Sequence, residues 1–263
     1  MITIIYGPPG AGKGALQTYL IEKLYNEKGY EIWQRSCEEI DNYNFLHKRN
    51  LTKPKKVPIF SDFEVSFKVD YEKFYSTYFL NGFYFGLENE KLPVMFVPPC
   101  SQVFLSEVQR YYDSRKSYSL PDFVSRNYEM HRHFFIDLTL DLQRLSLLDL
   151  NIKDLATRVI YIKKLDIIKD FLDNVIALVW HCREFECAKD ADAYIDNNVN
   201  VGKDVVFRYD RSVFENYDSF SNFEKFIPDK YHDFVYCEHN EKSVYNEIIM
   251  PEGYRIDKIK KNK

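Results

Sequence analysis

Residues near the start of the chain form a pattern that can bind phosphate. The run Gly7-Pro8-Pro9-Gly10-Ala11-Gly12-Lys13 fits G-x-x-x-x-G-K. Glycines let successive backbone N–H groups point into one concave anion site, to which a following helix adds its positive dipole end. The lysine ammonium would then reach the β- and γ-phosphates of a nucleoside triphosphate. The predicted nucleotide-binding residues are Gly7, Pro8, Pro9, Gly10, Ala11, Gly12, Lys13, Gly14 and Ala15.

The segments on both sides of this loop have the character that the site needs. Ile2–Tyr6 is a β-branched run suited to a buried parallel strand. After the loop, Leu16, Leu20 and Leu24 recur every four residues and predict an amphipathic helix that ends near Gly29. A Gly/Pro turn without a ligand is the alternative interpretation. The strand before the loop and the helix after it favour phosphate binding.

The position after the lysine departs from the usual pattern. Gly14 stands where a Ser or Thr hydroxyl normally binds Mg²⁺, and Thr18 follows only one helical turn later. Either water and phosphate oxygens hold the metal, or it binds weakly. ATP and Mg²⁺ are the cofactors that the pattern predicts.

A second candidate site group follows a short apolar run. Val103–Leu105 reads as a core strand, and Ser106 and Glu107 come directly after it. Glu107 is a candidate general base for an attacking water, and Ser106 and Glu107 are candidate metal ligands. The alternative is an ordinary surface glutamate at the end of a strand.

Further apolar runs indicate an α/β fold with a mainly parallel central sheet flanked by helices. Core strands are expected at 103–105, 134–140 and 159–162, a half-buried strand at 63–69, and helical spacing over 142–156. Residues 40–60 read as an exposed connection. Alternating runs at 173–188 and 203–210 predict a small antiparallel, β-rich extension. The expected division is a P-loop core over 1–165 and an extension over 166–263, with a basic tail at 255–263.

Composition restricts the partners and the compartment. The net charge of −4 over 263 residues gives no chain-wide attraction to nucleic acid, so any such surface would be local. Five scattered cysteines and a strand that begins at residue 2 favour a reducing cytoplasm. Two weaker patterns stay open. The aromatic stretch 71–85 suits core packing or base stacking, and the lysines at 53, 55 and 56 suit a solvated loop or phosphate contacts.

Five segments resemble, in order, motifs of the zonular occludens toxin-like family, which includes the assembly ATPases of filamentous phages. Residues 107–115 resemble its D-E-A-Q…S-R segment, and 129–133 its H-R-H segment. Residues 139–145 resemble T-Q-D-L-x-R-L, 151–158 resemble I-R-D-L-A-x-R, and 213–219 resemble V-F-x-x-Y-D-[ST]. The resemblance extends from the loop to about residue 219.

The resemblance implies an additional-strand P-loop ATPase of the FtsK/HerA-like type, related to DNA-translocating motors. It implies a ring, with a hexamer as the candidate size, in which an arginine completes the site of the neighbouring subunit, with Arg115, Arg126 and Arg132 as candidates. It also implies phage assembly proteins and single-stranded DNA as partners, in the host cytoplasm. Filamentous-phage members carry a membrane span after this domain, so attachment to the inner face of the membrane is expected to come from a partner.

This sequence departs from the family motifs at three positions. Gly14 replaces Ser or Thr, Ser106 replaces Asp, and Leu140 stands where a sensor Gln is found, so Gln143 is a candidate displaced sensor. The leading hypothesis is an ATP-driven motor for virion assembly, extrusion or DNA movement. The missing ligand positions keep a second hypothesis open, a nucleotide-binding scaffold without turnover. A nucleotide kinase is the third, prompted by the G-P-P-G-A-G-K-G string.

Overall fold

The computed structural model describes residues 1–48, 52–63, 65–69, 73–79, 86–87, 94–95, 97–110 and 128–210. The strands are β1 (Ile2–Tyr6), β2 (Ile59–Ser61), β3 (Ser66–Lys68), β4 (Phe74–Ser76), β5 (Tyr78–Phe79), β6 (Gly86–Leu87), β7 (Val94–Met95), β8 (Gln102–Leu105), β9 (Asp137–Leu142), β10 (Arg158–Lys169), β11 (Val175–Phe185) and β12 (Lys203–Asp210). The longer helices are α1 (Lys13–His47), α2 (Leu150–Asp154) and α3 (Ala188–Asn197), and short 3₁₀ helices cover Val108–Arg110, His131–Phe134 and Leu145–Leu147.

One sheet of eight strands organises the fold, in the order β12-β11-β10-β1-β9-β8-β2-β5. The strands from β10 to β5 all run parallel, whereas β11 and β12 add to β10 in antiparallel pairs. This confirms the expected parallel core and the antiparallel C-terminal strands. β9 lies between the P-loop strand β1 and the acidic strand β8, which is the additional-strand order.

The sheet is covered on both faces, as a mainly parallel sheet requires. One face packs α1 in two buried clusters, which centre on Leu16 with Trp180 and on Ile21 with Phe104. The other face carries the largest cluster, in which Ile152 of α2 and Ala188 of α3 pack against the strands. All residues of β1 are buried, so its C-terminal end is held rigidly where the glycine loop begins.

Helix α1 corrects one sequence expectation. It does not end near Gly29 but continues to His47, and its last turns occupy part of the expected connection at 40–60. Ile32, Cys37 and Ile40 are buried, so tertiary packing carries the helix past the glycine. A helical glycine costs only about 1 kcal/mol, which such burial readily offsets.

Two other boundaries differ from the sequence expectations. Residues 134–136 are not part of a strand, because a 3₁₀ helix ends at Phe134 and Phe135 has a left-handed φ of 55°. The expected helix over 142–156 shrinks to α2, because Leu142 still belongs to β9 and the chain re-enters the sheet at Arg158. Asp149 begins α2 as its N-cap and accepts hydrogen bonds from two backbone N–H groups. Periodicity alone does not separate short apolar strands from helical turns.

The hairpin of β10 and β11 projects beyond the parallel core. β1 pairs with β10 only as far as Tyr161, whereas the hairpin continues to its turn at 170–174. At ~3.3 Å per residue the turn lies roughly 25 Å past the carboxyl end of β1. The expected division at residue 165 falls inside β10, and the division into 1–165 and 166–263 stays a prediction. Among the described residues, no helix combines the length and apolarity needed to span a bilayer.

Candidate functional site

The glycine loop connects β1 to α1 with the geometry of an anion cradle. Gly10 and Gly12 have left-handed φ angles of 77° and 72°, and Gly12 is the N-cap residue of α1. As a glycine, the N-cap residue has no side chain to cap this helix end, and no acidic residue lies in the first turn. The N–H groups of the first turn therefore have no intrahelical acceptor and face the loop, where an anion would satisfy them.

Lys13 lies inside the loop that it would serve. Its Nζ donates to the carbonyl oxygens of Gly7 and Pro8, at 3.2 and 3.3 Å, and its side chain is buried. Burial lowers the pKa of Lys13, and the nearby Asp141 carboxylate opposes that shift. A phosphate would supply the negative charge that this partly desolvated ammonium has only in part.

The loop is supported from behind by β11, which sequence reasoning did not predict. The indole Nε1 of Trp180 donates to the carbonyl oxygen of Ala11 at 3.1 Å, and Trp180 is fully buried. A methyl group added at Gly12 would lie 2.9 Å from the same Nε1 and 3.0 Å from Leu165. The antiparallel strands thus fix the loop, and only glycine fits at position 12.

Two strand ends beside the loop carry acidic groups that bind neighbouring backbone. Asp62 follows β2 and accepts a hydrogen bond from the backbone N–H of Ser106 at 2.9 Å. Asp141 lies in β9, is 2% exposed, and accepts from the backbone N–H of Glu107 at 2.9 Å. The strand-end position of an acid in a parallel sheet is the signal that could have identified both residues from the sequence.

Partial burial strongly shifts the pKa of Asp62. Desolvation raises the pKa of Asp62 to about 8, the hydrogen bond from Ser106 opposes the rise, and the Asp141 charge adds to it. The two carboxyl groups therefore interact across the strand ends. Asp62 follows β2, three strands from β1, at the same end of the sheet as the glycine loop, and its perturbed pKa makes it a candidate functional group.

Glu107 has a backbone conformation that non-glycine residues rarely adopt. Its φ is 48°, and the Asp141 carboxylate holds its N–H in this left-handed geometry. Strain of this kind costs about 1–3 kcal/mol and is concentrated at functional positions. The structure thus places Ser106 and Glu107, as predicted, at the same edge of the sheet as the glycine loop.

Gln17 is a further polar group at this edge that sequence reasoning missed. It lies one helical turn after Lys13 and is fully buried. Its Nε2 donates to the carbonyl oxygen of Leu105 at 3.1 Å, which ties α1 to the end of β8. Its Oε1 has no hydrogen-bond partner among the described residues, so this acceptor is available to a ligand or water.

The other predicted site residues do not all lie near the glycine loop. Gln143 directly follows β9, whose Leu142 pairs with Tyr6, so it is level with the start of the loop. Arg132 is exposed in the 3₁₀ helix that precedes β9, at the opposite edge of the sheet from the loop. Arg115 and Arg126 lie outside the described residues, as does the segment 213–219. A role for any of these arginines in a neighbouring subunit stays a prediction.

The acceptors at the site suit a hard cation, although Gly14 supplies no hydroxyl. Asp141, Glu107, the Ser106 hydroxyl and Gln17 Oε1 are oxygen ligands of the kind that Mg²⁺ prefers. Mg²⁺ commonly keeps several waters and binds through one or two carboxylates together with phosphate oxygens. The residues present therefore fit a metal held mostly by the nucleotide and by water.

Solved structures to which this chain is similar include two proteins of different origin. The N-terminal domain of zonular occludens toxin from Neisseria meningitidis is 14% identical with a TM-score of 0.47, over 82% of this chain and 98% of that one. In this chain, the glycine loop between β1 and α1 and the mainly parallel sheet around it form the strand–loop–helix arrangement of a P-loop fold. The genome packaging NTPase B204 from Sulfolobus turreted icosahedral virus 2, with ATP-γS, is 10% identical with a TM-score of 0.36, over 78% and 95% of the two chains.

The same packaging NTPase in complex with AMPPCP is 14% identical with a TM-score of 0.35, over 82% of this chain and 94% of that one. No protein-family model and no curated protein matches the sequence.

Proposed function

We propose that the protein is an ATPase that drives virion assembly, extrusion or DNA movement as a ring of identical subunits. One observation carries the chemical part of this proposal. Lys13, buried in a glycine loop at the start of α1, interacts with Asp141, which in turn holds Glu107 in a strained conformation. A phosphate cradle and a positioned acid thus belong to one connected unit.

The residues of this unit divide the work of hydrolysis. The backbone N–H groups of the loop and Lys13 would bind the β- and γ-phosphates and neutralise charge as the transition state develops. Glu107 would orient a water whose oxygen attacks the γ-phosphorus while the bond to the bridging oxygen breaks and ADP leaves. The proton of that water would pass to the Glu107 carboxylate.

The metal and the polar sensor belong to the same proposal. Mg²⁺ would neutralise charge on the β- and γ-phosphate oxygens, and Ser106, Glu107 and Asp141 would hold it directly or through water. Gln143 would contact the γ-phosphate. Because Gly14 has no hydroxyl, we expect the metal to bind less tightly than in loops that end in Ser or Thr.

The motor function rests on the ordered family resemblance of the sequence. The resemblance implies a ring in which an arginine of one subunit acts at the site of its neighbour. It also implies phage assembly proteins and single-stranded DNA as partners. The ring would work in the host cytoplasm, in contact with a membrane partner. The same proposal treats residues 1–165 as the P-loop core and 166–263 as an extension.

Turnover measurements with matched variants test the enzymatic part. Lys13→Ala should abolish ATP binding and turnover, with a loss of roughly a hundredfold or more. Glu107→Gln should bind ATP like the parent but lose turnover by about 10²–10⁴-fold. Steady-state phosphate release and calorimetric ATP binding, with and without Mg²⁺ and single-stranded DNA, distinguish the two effects. Unchanged turnover in both variants would refute an ATPase.

A nucleotide-binding scaffold is the second candidate, because Gly14 and Ser106 replace the usual metal ligands. It predicts Mg²⁺-independent ATP binding in the parent with phosphate release no faster than in Glu107→Gln. A nucleotide kinase would instead transfer phosphate to nucleoside monophosphates in a coupled assay.

A further inference from the structure

Two surface features at opposite ends of the molecule have complementary chemistry. The turn of the β10–β11 hairpin exposes Phe171 by 94% and Leu172 by 68%. An open groove of about 510 Å³ lies beside α1 and is lined by Tyr25, Tyr30 and Trp33 together with lysines at 55 and 56. An adjacent pair of exposed apolar side chains and an open aromatic groove are together candidates for an interaction surface.

The hairpin turn holds its apolar pair, Phe171 and Leu172, in a fixed conformation. The Asp170 carboxylate accepts from the backbone N–H groups of Leu172 and Asn174, at 2.9 and 2.8 Å. The Asn174 side chain also donates to it at 3.0 Å, and Lys169 pairs with Asp173 at 2.9 Å. Because the turn is fixed by its own side chains, it would lose little conformational entropy on binding.

The groove is also preformed. The indole Nε1 of Trp33 donates to the carbonyl oxygen of Pro54 at 2.8 Å, which orients the ring. The Tyr30 ring lies 6.2 Å from it and is 74% exposed, and Lys56 stacks over the ring of Tyr78 at 4.1 Å. An apolar pair can thus enter between aromatic rings while a lysine meets an acid at the rim.

Charge favours the hairpin turn of another protein molecule as the occupant of the groove over a membrane surface or a nucleic acid. The turn carries two acids and one lysine, whereas the groove carries two lysines, so the two surfaces attract. An anionic membrane surface would instead repel the acidic turn. Single-stranded nucleic acid fits the aromatic rings and lysines of the groove but not the acidic, apolar turn, so it would account for only one of the two surfaces.

Topology decides whether the two surfaces belong to one subunit or to two. The groove lies beside the chain that enters β2, on the opposite side of β1 from β10 and β11. The hairpin also projects past the carboxyl ends of the parallel strands, whereas the groove lies next to the amino end of β2. The turn therefore cannot reach the groove of its own chain.

We propose that the Phe171–Leu172 turn of one subunit docks into the Tyr30–Trp33 groove of the next copy of this chain. Such a head-to-tail contact is heterologous, so it repeats from subunit to subunit and forms a ring when the rotation between subunits closes. The inference deepens the proposed ring-forming function and rests on it for closure, whereas the contact itself needs no nucleotide. Trp180 on β11 ties the same hairpin to the glycine loop, which couples the contact to the nucleotide site.

Complementation of two variants tests the contact in the absence of nucleotide. A turn variant carries Phe171→Ser with Leu172→Ser, and a groove variant carries Tyr30→Ser with Lys55→Glu. In sedimentation velocity the parent should associate beyond a dimer, and each variant alone should lose association by about a hundredfold. An equimolar mixture should form only a one-to-one dimer, because one intact turn and one intact groove remain. Val206→Ser, which removes another exposed apolar side chain, should associate like the parent.

Several outcomes would overturn the contact. These are a parent that stays monomeric, variants that associate like the parent, or a mixture that stays monomeric although both variants keep the parental circular dichroism spectrum. A groove variant that loses only binding to an oligothymidine, or a turn variant that loses only binding to phosphatidylserine vesicles, with association unchanged, would also overturn it. Calorimetric ATP binding by the same samples separates a failed contact from a failed nucleotide site.

Discussion

The two sides of the nucleotide site are built by different means. The phosphate side, formed by the glycine loop and Lys13, is supported from behind by Trp180 and apolar packing. The acidic side, formed by the ends of β2, β8 and β9, is held by carboxylates that accept backbone N–H groups. The phosphate side is therefore rigid and shielded from solvent, whereas the acidic side depends on charge. We expect substitutions on the two sides to fail in different ways.

The largest effect is expected from Gly12→Ala, which disrupts the packing of the phosphate side. The added methyl group clashes with Trp180 and Leu165, and the φ of 72° adds backbone strain. We expect a loss of roughly 2–4 kcal/mol in the free energy of unfolding, together with weaker ATP binding. Gly10→Ala is the matched control, since its φ is 77° but nothing lies within 4 Å, and it should cost only about 1–2 kcal/mol. Equal losses in urea unfolding would show that packing behind the loop is unimportant.

Trp180→Phe tests the hydrogen bond from the Trp180 indole to the Ala11 carbonyl oxygen, also on the phosphate side. The Ala11 carbonyl would lose its buried donor, which costs about 1–3 kcal/mol. Calorimetry should show weaker ATP binding, because the loop is no longer fixed from β11. Trp33→Phe removes a comparable bond to Pro54 far from the loop. If both variants bind ATP like the parent, β11 does not position the loop.

A pair of substitutions at Asp141 separates the structural and electrostatic roles of the acidic side. Asp141→Ala leaves the Glu107 N–H without its acceptor and should cost about 1–3 kcal/mol of stability. Asp141→Asn keeps an acceptor of the same shape, so its loss of stability should be smaller. Both variants remove the charge that faces Lys13, so ATP turnover and its Mg²⁺ dependence should fall in both. Full turnover in Asp141→Asn would exclude a role for this charge.

The smallest effect concerns Glu22, a partly buried acid on α1. Burial raises the pKa of Glu22, whose Oε2 has no hydrogen-bond partner among the described residues. Because the folded-state pKa is raised, the contribution of Glu22 is fully present below the ordinary carboxyl pKa and is lost as pH rises through the folded value. Glu22→Gln should therefore gain on the order of 1 kcal/mol over the parent at neutral pH and little or nothing in acid. Urea unfolding at several pH values measures this difference, and a pH-independent difference would contradict it.

Much of the phosphate side was predictable because its determinants are local. The run from Gly7 to Lys13, the buried strand before it and the amphipathic helix after it all lie within one short segment. The strand at Val103–Leu105 with Ser106 and Glu107 after it was predicted for the same reason. The end of α1 near Gly29 and the strand expected to begin at Phe134 were predicted wrongly, because the helix continues to His47 and β9 begins only at Asp137, and local sequence signals do not fix such boundaries.

By itself, the sequence determined a phosphate loop, an acidic strand end and a parallel α/β core followed by antiparallel strands. Only the tertiary structure decided which strands are neighbours, because pairing joins residues as distant as Ile5 and Asp141. That pairing brings Asp62 and Asp141 to the backbone of Ser106 and Glu107, and it places Trp180 behind Ala11. A loop motif is written in consecutive residues, whereas the groups that hold it and the acids that face it come from separate strands.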